Sequence, residues 1–90
     1  MKVTNIKYTT NFVREFKKLT PDKKQQAIKA EKIFKIDPFS PKLRTHKLNG
    51  KLSGLWAFWI NFHDRITFEF LDEGEIVFYR VGPHDIYKQR

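Results

Sequence analysis

The first part of the chain carries a short strand pattern and then two helical patterns. Residues 2–8 contain β-branched and aromatic side chains, which predicts a first strand. Apolar residues then recur at helical spacing over residues 12–19, after threonines that can cap a helix. Thr20 followed by Pro21 predicts the start of a second helix, which Pro38 ends. We therefore expect a helical hairpin after the first strand.

The second part of the chain is strand-like. Residues 55–61, 65–71 and 75–81 are rich in aromatic and β-branched side chains and are separated by turn-forming residues. Together with the earlier elements they predict an α+β fold, in which an N-terminal strand and a helical hairpin pack on one face of an antiparallel sheet of about four strands. A chain of 90 residues has room for one core, so residues 1–90 are expected to form a single domain.

Alternation within residues 65–71 assigns side chains to the two faces of the sheet. Ile66, Phe68 and Phe70 are apolar and are expected to face the helices, whereas the residues between them are polar. If the preceding strand adds its own apolar side chains to that face, Trp59 lies opposite Arg65 on an open face. A two-residue turn would reverse this assignment, but it would place an apolar side chain beside an acidic one. The longer turn is therefore preferred.

The chain is strongly basic and contains no cysteine. Its 18 Lys and Arg residues against 10 Asp and Glu give a formal charge of +8, which favours a polyanionic partner such as nucleic acid. Without cysteine there is no disulfide or thiolate site, and three histidines without an i, i+4 pair indicate no metal or other cofactor. The longest apolar run is too short to span a membrane, and no secretion signal is recognisable. A cytoplasmic location is expected.

Two motifs in the second part of the chain resemble a known family. The stretch HKLNGKLSGLW begins at His46, and Arg65 follows it at the start of the next predicted strand. The stretch VGPHDIY follows the last predicted strand and contains His84 and Tyr87. Together they resemble the RelE/ParE toxin superfamily, most closely the RelE/YoeB/YafQ-type mRNA interferases of type II toxin–antitoxin systems.

The resemblance implies an enzyme that cuts messenger RNA without a metal, commonly on the ribosome, by attack of a 2′-hydroxyl on the adjacent phosphodiester. It implies that His46 acts as the base, Arg65 binds the phosphate and His84 acts as the acid. Tyr87 is implied to stack on a base or to relay a proton. An acidic antitoxin protein is the implied partner, in a hetero-oligomer with the toxin.

Further side chains near these positions are candidate RNA contacts. Cations can contact phosphates, and a tryptophan on an open basic face can stack on a base or equally dock an antitoxin helix. The candidates are Arg44, Lys47, Lys51 and Trp59.

Two other functions fit the same sequence. A ParE-like inhibitor of DNA gyrase would act by protein contacts and would need no acid or base. An inactive toxin that only binds its antitoxin is the other, because Trp59 and Asn61 replace basic residues of some relatives. The trio His46, Arg65 and His84 favours the RNA-cutting function, because a gyrase binder has no chemical need to bring these groups together.

Overall fold

The helices begin and end where the sequence pattern places them. The structure, a computed structural model, describes residues 2–88, the side chain of residue 88 excepted. Helix α1 (Thr10–Lys18) is capped by Thr9, whose hydroxyl accepts a hydrogen bond from the Phe12 N–H at 3.0 Å. Helix α2 (Pro21–Ile36) is capped in the same way by Thr20. Side-chain caps thus satisfy backbone N–H groups that have no partner within the helix.

The described residues form a five-stranded sheet with the strand order β1-β5-β4-β3-β2. The strands are β1 (Asn5–Tyr8), β2 (His46–Lys47), β3 (Trp56–Trp59), β4 (Asp64–Phe70) and β5 (Glu75–Pro83). The pairs β2–β3, β3–β4 and β4–β5 are antiparallel, but β1 pairs with β5 in parallel. The sheet is therefore mixed.

The predicted α+β class is confirmed, whereas the sheet differs from the antiparallel sheet of about four strands expected from the sequence. Turns determine the direction of neighbouring strands in the β3–β4–β5 meander, but no turn joins β1 to β5. Their relative direction depends on the whole path between them. The additional strand β2 has two residues and lies between the second helix and the predicted strand 55–61, where no strand was predicted. So short a strand has no alternation to detect.

The core lies between the sheet and the two helices, with Phe12 of α1 and Phe34 of α2 both part of it. Phe34 of α2 has no exposed surface, and its ring centroid lies 4.9 Å from those of both Phe58 and Phe68. Phe58 pairs with Ile66, and Trp59 pairs with Arg65 across β3 and β4. The predicted register and the predicted assignment of side chains to faces are both confirmed.

The second face of the sheet is covered where an open face was expected. Thr67 is 1% exposed, although alternation places it away from the helical layer. The 3₁₀ helix His84–Lys88 contacts β4 and β5 on this side, and Ile86 packs against Gly82. The residues that cover this face belong to the end of the VGPHDIY motif. Strand periodicity does not predict that this segment folds back onto the sheet.

Strand β5 is also joined to α1. The Glu15 carboxylate accepts hydrogen bonds from the Arg80 guanidinium and, at 3.2 Å, from the Val81 N–H. Tyr79 is an extra residue at a β-bulge, since Thr67 pairs with Arg80 whereas Phe68 pairs with Phe78. These contacts fix the part of β5 that leads into the 3₁₀ helix.

Among residues 2–88, no helix combines the length and the hydropathy needed to cross a membrane.

Candidate functional site

Arg65 is held in one orientation at the start of β4. Its guanidinium carbon lies 3.9 Å from the centroid of the Trp59 ring. Its Nη1 donates hydrogen bonds to the backbone carbonyls of Asn61, at 2.9 Å, and Asp64, at 3.1 Å. The residue is 8% exposed. Because these bonds use Nη1, the edge formed by Nε and Nη2 keeps the paired donors that match a carboxylate or phosphate.

The turn between β3 and β4 is anchored by the side chain of Asn61. Its Oδ1 accepts hydrogen bonds from the N–H groups of His63 and Asp64, at 2.7 and 2.8 Å. Its Nδ2 donates to the Gln26 side chain and to the Asp64 carboxylate. Asp64 is buried and forms an ion pair of 3.2 Å with Lys23 of α2. The turn that carries the carbonyl acceptors of Arg65 is thus tied to α2.

A second cation lies over the same tryptophan. The guanidinium carbon of Arg44 is 4.7 Å from the Trp59 ring centroid. Arg44 has a positive φ of 51° at the end of the 3₁₀ helix Pro41–Leu43, and this conformation turns the chain into β2. Two of the predicted RNA-binding residues, Arg44 and Trp59, are therefore in contact with each other, and Trp59 also contacts Arg65.

His46 lies in β2 at the edge of the sheet, paired with Ala57. Its Nδ1 is 2.8 Å from the Arg44 carbonyl oxygen. A carbonyl only accepts hydrogen bonds, so Nδ1 carries the proton of the neutral ring and Nε2 is the proton acceptor. The His46 side chain is exposed, which leaves Nε2 accessible to a ligand.

Tyr87 brings the two predicted catalytic histidines together. Its ring centroid lies 4.5 Å from that of His84 and 6.4 Å from that of His46. Burial raises the pKa of Tyr87, although the charge of the nearby Arg65 acts in the opposite direction. The Tyr87 hydroxyl is buried next to the Arg65 guanidinium, but no hydrogen bond of good geometry reaches it from the described residues. One phenol thus connects β2, β4 and the 3₁₀ helix His84–Lys88.

The two predicted RNA-binding lysines, Lys47 and Lys51, lie outside the cluster of site residues. That cluster consists of Arg44, His46, Trp59, Arg65, His84 and Tyr87. The Lys47 Nζ is 5.4 Å from the centroid of Trp56, whose ring packs with the core on the helical side of the sheet. Lys51 is exposed in the 3₁₀ helix Gly50–Leu52. Alternation along β2 explains the position of Lys47, since neighbouring residues of a strand point to opposite faces. His63, which was not predicted to act, is exposed in the β3–β4 turn.

Sequence reasoning missed one aromatic residue next to the cluster. Phe62 is 80% exposed, and its ring centroid lies 5.8 Å from that of Trp59. The signal was present in the sequence, because a large aromatic residue stood in a segment predicted to be a polar turn.

The arrangement combines an oriented guanidinium with two imidazoles and a protonated phenol. Such a set can bind a planar or tetrahedral oxyanion and can both accept and donate protons. Across residues 2–88, the structure has no cluster of three or more His, Asp or Glu side chains suited to a metal ion.

Comparison with solved structures reveals the fold family. No family model and no curated protein matches the sequence. A YoeB/ParE toxin from Agrobacterium tumefaciens superposes with a TM-score of 0.77 at 14% identity, over 90% of this chain and 99% of the toxin. The archaeal RelE–RelB complex from Pyrococcus horikoshii gives 0.74 at 16% identity, over 96% and 99%. The YoeB dimer from Staphylococcus aureus gives 0.72 at 17% identity, over 93% and 99%. The chain therefore has the fold of the RelE/ParE toxin superfamily.

Proposed function

We propose that this chain is the toxin of a type II toxin–antitoxin system and that it cleaves messenger RNA without a metal ion. One observation carries the proposal. Tyr87 contacts the rings of both His46 and His84, and the charge of Arg65 is close enough to affect its pKa. Three segments that are distant in sequence thus bring a guanidinium and two imidazoles close to one phenol, and this arrangement supports the proposal.

The proposed reaction is an internal transesterification of RNA. The Nε2 of His46 takes the proton from a 2′-hydroxyl as its oxygen forms a bond to the adjacent phosphorus. Arg65 binds the non-bridging oxygens through Nε and Nη2 and stabilises the charge that builds up on them. The bond from phosphorus to the 5′-oxygen breaks, and protonated His84 gives its proton to that oxygen. The products are a 2′,3′-cyclic phosphate and a 5′-hydroxyl.

The remaining residues have supporting roles in this proposal. Tyr87 stays protonated because burial raises its pKa, so its hydroxyl serves as a hydrogen-bond donor toward the phosphate or a base. Arg44 adds positive charge at the cluster, whereas Lys47 and Lys51, which lie outside it, add only to the general attraction between the chain and RNA. Trp59 orients the guanidinium groups of Arg44 and Arg65.

We also propose an acidic antitoxin as the partner of this chain in the cytoplasm, and ribosome-bound message as its substrate. The charge of +8 on 90 residues favours an acidic partner. Two of the similar solved structures are toxin–antitoxin complexes, the RelE–RelB complex of Pyrococcus horikoshii and the RelBE2 complex of Mycobacterium tuberculosis. An antitoxin that covers the cluster would hold the activity in check.

The test is single-turnover cleavage of ribosome-bound messenger RNA by the purified chain, with mapping of the RNA ends. We expect 5′-hydroxyl ends with 2′,3′-cyclic phosphate or 3′-phosphate ends, and no such ends with the Arg65→Ala variant. Cleavage should persist when a chelator is added to ribosomes that stay intact. Induction of the chain alone should stop protein synthesis first. An early failure of DNA supercoiling with continuing protein synthesis would support the gyrase inhibitor instead, and antitoxin binding without RNA cleavage would support the inactive toxin.

A further inference from the structure

We infer that Phe62 is a base-stacking residue, which binds the nucleobase next to the phosphate held at Arg65. Phe62 is 80% exposed at the tip of the β3–β4 turn, and its ring centroid lies 5.8 Å from that of Trp59. The Trp59 ring is in turn 3.9 Å from the guanidinium carbon of Arg65. The phenyl ring is therefore within reach of a base on a strand whose phosphate binds the guanidinium. The inference rests on the proposed function, because RNA is the ligand.

Trp59 is less suited than Phe62 to stack on a base. The guanidinium groups of Arg44 and Arg65 both lie over the Trp59 ring, at 4.7 and 3.9 Å from its centroid. A base that stacked on this ring would compete with these cations. Phe62 has its nearest ring contacts with Trp59 and His63 and keeps most of its surface in solvent. The base-stacking role that the sequence suggested for Trp59 thus belongs to Phe62.

The turn presents Phe62 in a defined position. Asn61 accepts hydrogen bonds from two backbone N–H groups of the turn and donates to Gln26 of α2. The base of the turn is fixed as well, because the Ile60 N–H donates a hydrogen bond to the Asp64 carbonyl at 3.1 Å. An aromatic ring on a fixed backbone loses little entropy when a base stacks on it.

The surroundings of Phe62 favour a nucleobase over a protein partner. A protein anchor normally lies in an apolar patch, where neighbouring side chains exclude water around it. The side chains that line the surface beside Phe62 are polar or charged, among them Asp22, Lys23 and Gln26. Two arginines lie over the adjacent Trp59 ring. Stacking on a base needs only one π-face, and adjacent arginines complement the phosphates of the same strand.

The experiment measures equilibrium binding of the full chain to short single-stranded oligoribonucleotides with 2′-methoxy groups, which bind but have no attacking hydroxyl. Phe62→Ala and Phe62→Leu should weaken binding by about fivefold to a hundredfold, whereas Phe62→Trp should retain it. Phe62→Leu keeps an apolar side chain and removes the π-face. The matched control is Ile36→Ala, at a side chain that is 84% exposed at the end of α2, and it should bind like the unsubstituted chain. Circular dichroism checks the fold of each variant.

Four results would overturn the inference. They are normal RNA affinity in Phe62→Ala or Phe62→Leu, an equal loss in Ile36→Ala, no RNA binding by the unsubstituted chain, and loss of affinity only for the acidic partner in Phe62→Ala. The last result would make the ring a protein anchor. Cleavage is measured separately on ribosome-bound message, so the two proposals fail in different ways. A chain that binds RNA through Phe62 but does not cut it contradicts only the proposed function.

Discussion

The guanidinium carbon of Arg65 lies 3.9 Å from the centroid of Trp59, the residue directly opposite it in the sheet. A cation over a tryptophan ring gains roughly 0.5 to 2 kcal/mol, with the larger values in desolvated sites. Arg65 is almost fully buried, and two backbone carbonyls accept hydrogen bonds from its Nη1. Its orientation is thus determined before any ligand arrives, which is the condition for effective charge stabilisation.

The first prediction concerns the geometry of this guanidinium. Arg65→Lys keeps the charge but loses the planar pair of donors, and we expect single-turnover RNA cleavage to fall by about 100-fold or more. Trp59→Leu should reduce the rate by a smaller factor by releasing Arg65, and Trp59→Phe should restore part of it. Equal activity of Arg65→Lys and the unsubstituted chain would show that a point charge is sufficient.

The second prediction concerns the two histidines that contact Tyr87. His46→Ala and His84→Ala should each lower single-turnover cleavage by about 100- to 10,000-fold, because each removes one proton-transfer group. Both side chains are exposed, so the thermal unfolding of these variants should stay close to that of the unsubstituted chain. His63→Ala is the matched control, because His63 is exposed and has no contact with Tyr87 among the described residues. Full activity in either predicted variant would contradict the assigned roles.

The third prediction concerns the Tyr87 hydroxyl, which is buried next to Arg65 without a hydrogen bond of good geometry from the described residues. A buried polar group without a partner costs free energy, so Tyr87→Phe should leave the free energy of unfolding unchanged or increase it. Chemical denaturation measures this value. If the hydroxyl also donates to the substrate, the same variant should cleave RNA more slowly. A clear loss of stability would mean that the hydroxyl has a partner in the folded protein.

A pH titration tests the environment of the same phenol. Its pKa in the folded chain is raised by burial, so the folded state holds the proton more tightly than the unfolded state. The resulting stability is fully present below the unfolded pKa of about 10 and is lost as pH rises through the folded pKa. Phenolate absorbance from Tyr87 should therefore appear only above the pH range in which an exposed tyrosine ionises. Tyr87→Phe should remove that component of the absorbance. Appearance of this component in the ordinary range would show that Tyr87 is solvated.

The fourth prediction concerns Asn61, whose side chain makes hydrogen bonds to both the β3–β4 turn and α2. Asn61→Ala leaves Asp64 and the backbone N–H groups of the turn without these partners, and we expect a loss of about 1 to 3 kcal/mol in the free energy of unfolding. Asn49→Ala is the control, because Asn49 is exposed and makes no side-chain capping bond. Similar stability of both variants would show that the turn is held by its backbone alone.

Much of the fold followed from local sequence signals. The threonine caps and Pro21 define the start of each helix, and alternation along β4 identified the side chains that pack on α2. The same alternation placed Trp59 opposite Arg65, as the structure confirms. These features depend on neighbouring residues, where spacing along the chain determines position in space.

The features that sequence reasoning did not predict depend on contacts between distant segments. Nothing near β1 indicates its parallel pairing with β5, and nothing near Tyr87 indicates that its ring contacts that of His46. The position of Lys47 on Trp56 depends on the short strand β2, which periodicity does not detect. The residue types of the candidate site were therefore predictable by resemblance, whereas their arrangement required the folded chain.

The parallel pairing of β1 with β5 also determines how early in its synthesis the protein can finish folding. The strand made first, Asn5–Tyr8, has its hydrogen-bonding partner in residues 75–78, and a hydrogen bond joins Thr4 to Glu73 across 69 positions of sequence. Pairing over such a separation is slow, because a long loop must close before any contact stabilises it. A nascent chain that lacks residues 75–88 has neither the partner of β1 nor Tyr87. Any activity that depends on this phenol therefore begins only after the ribosome has synthesised those residues.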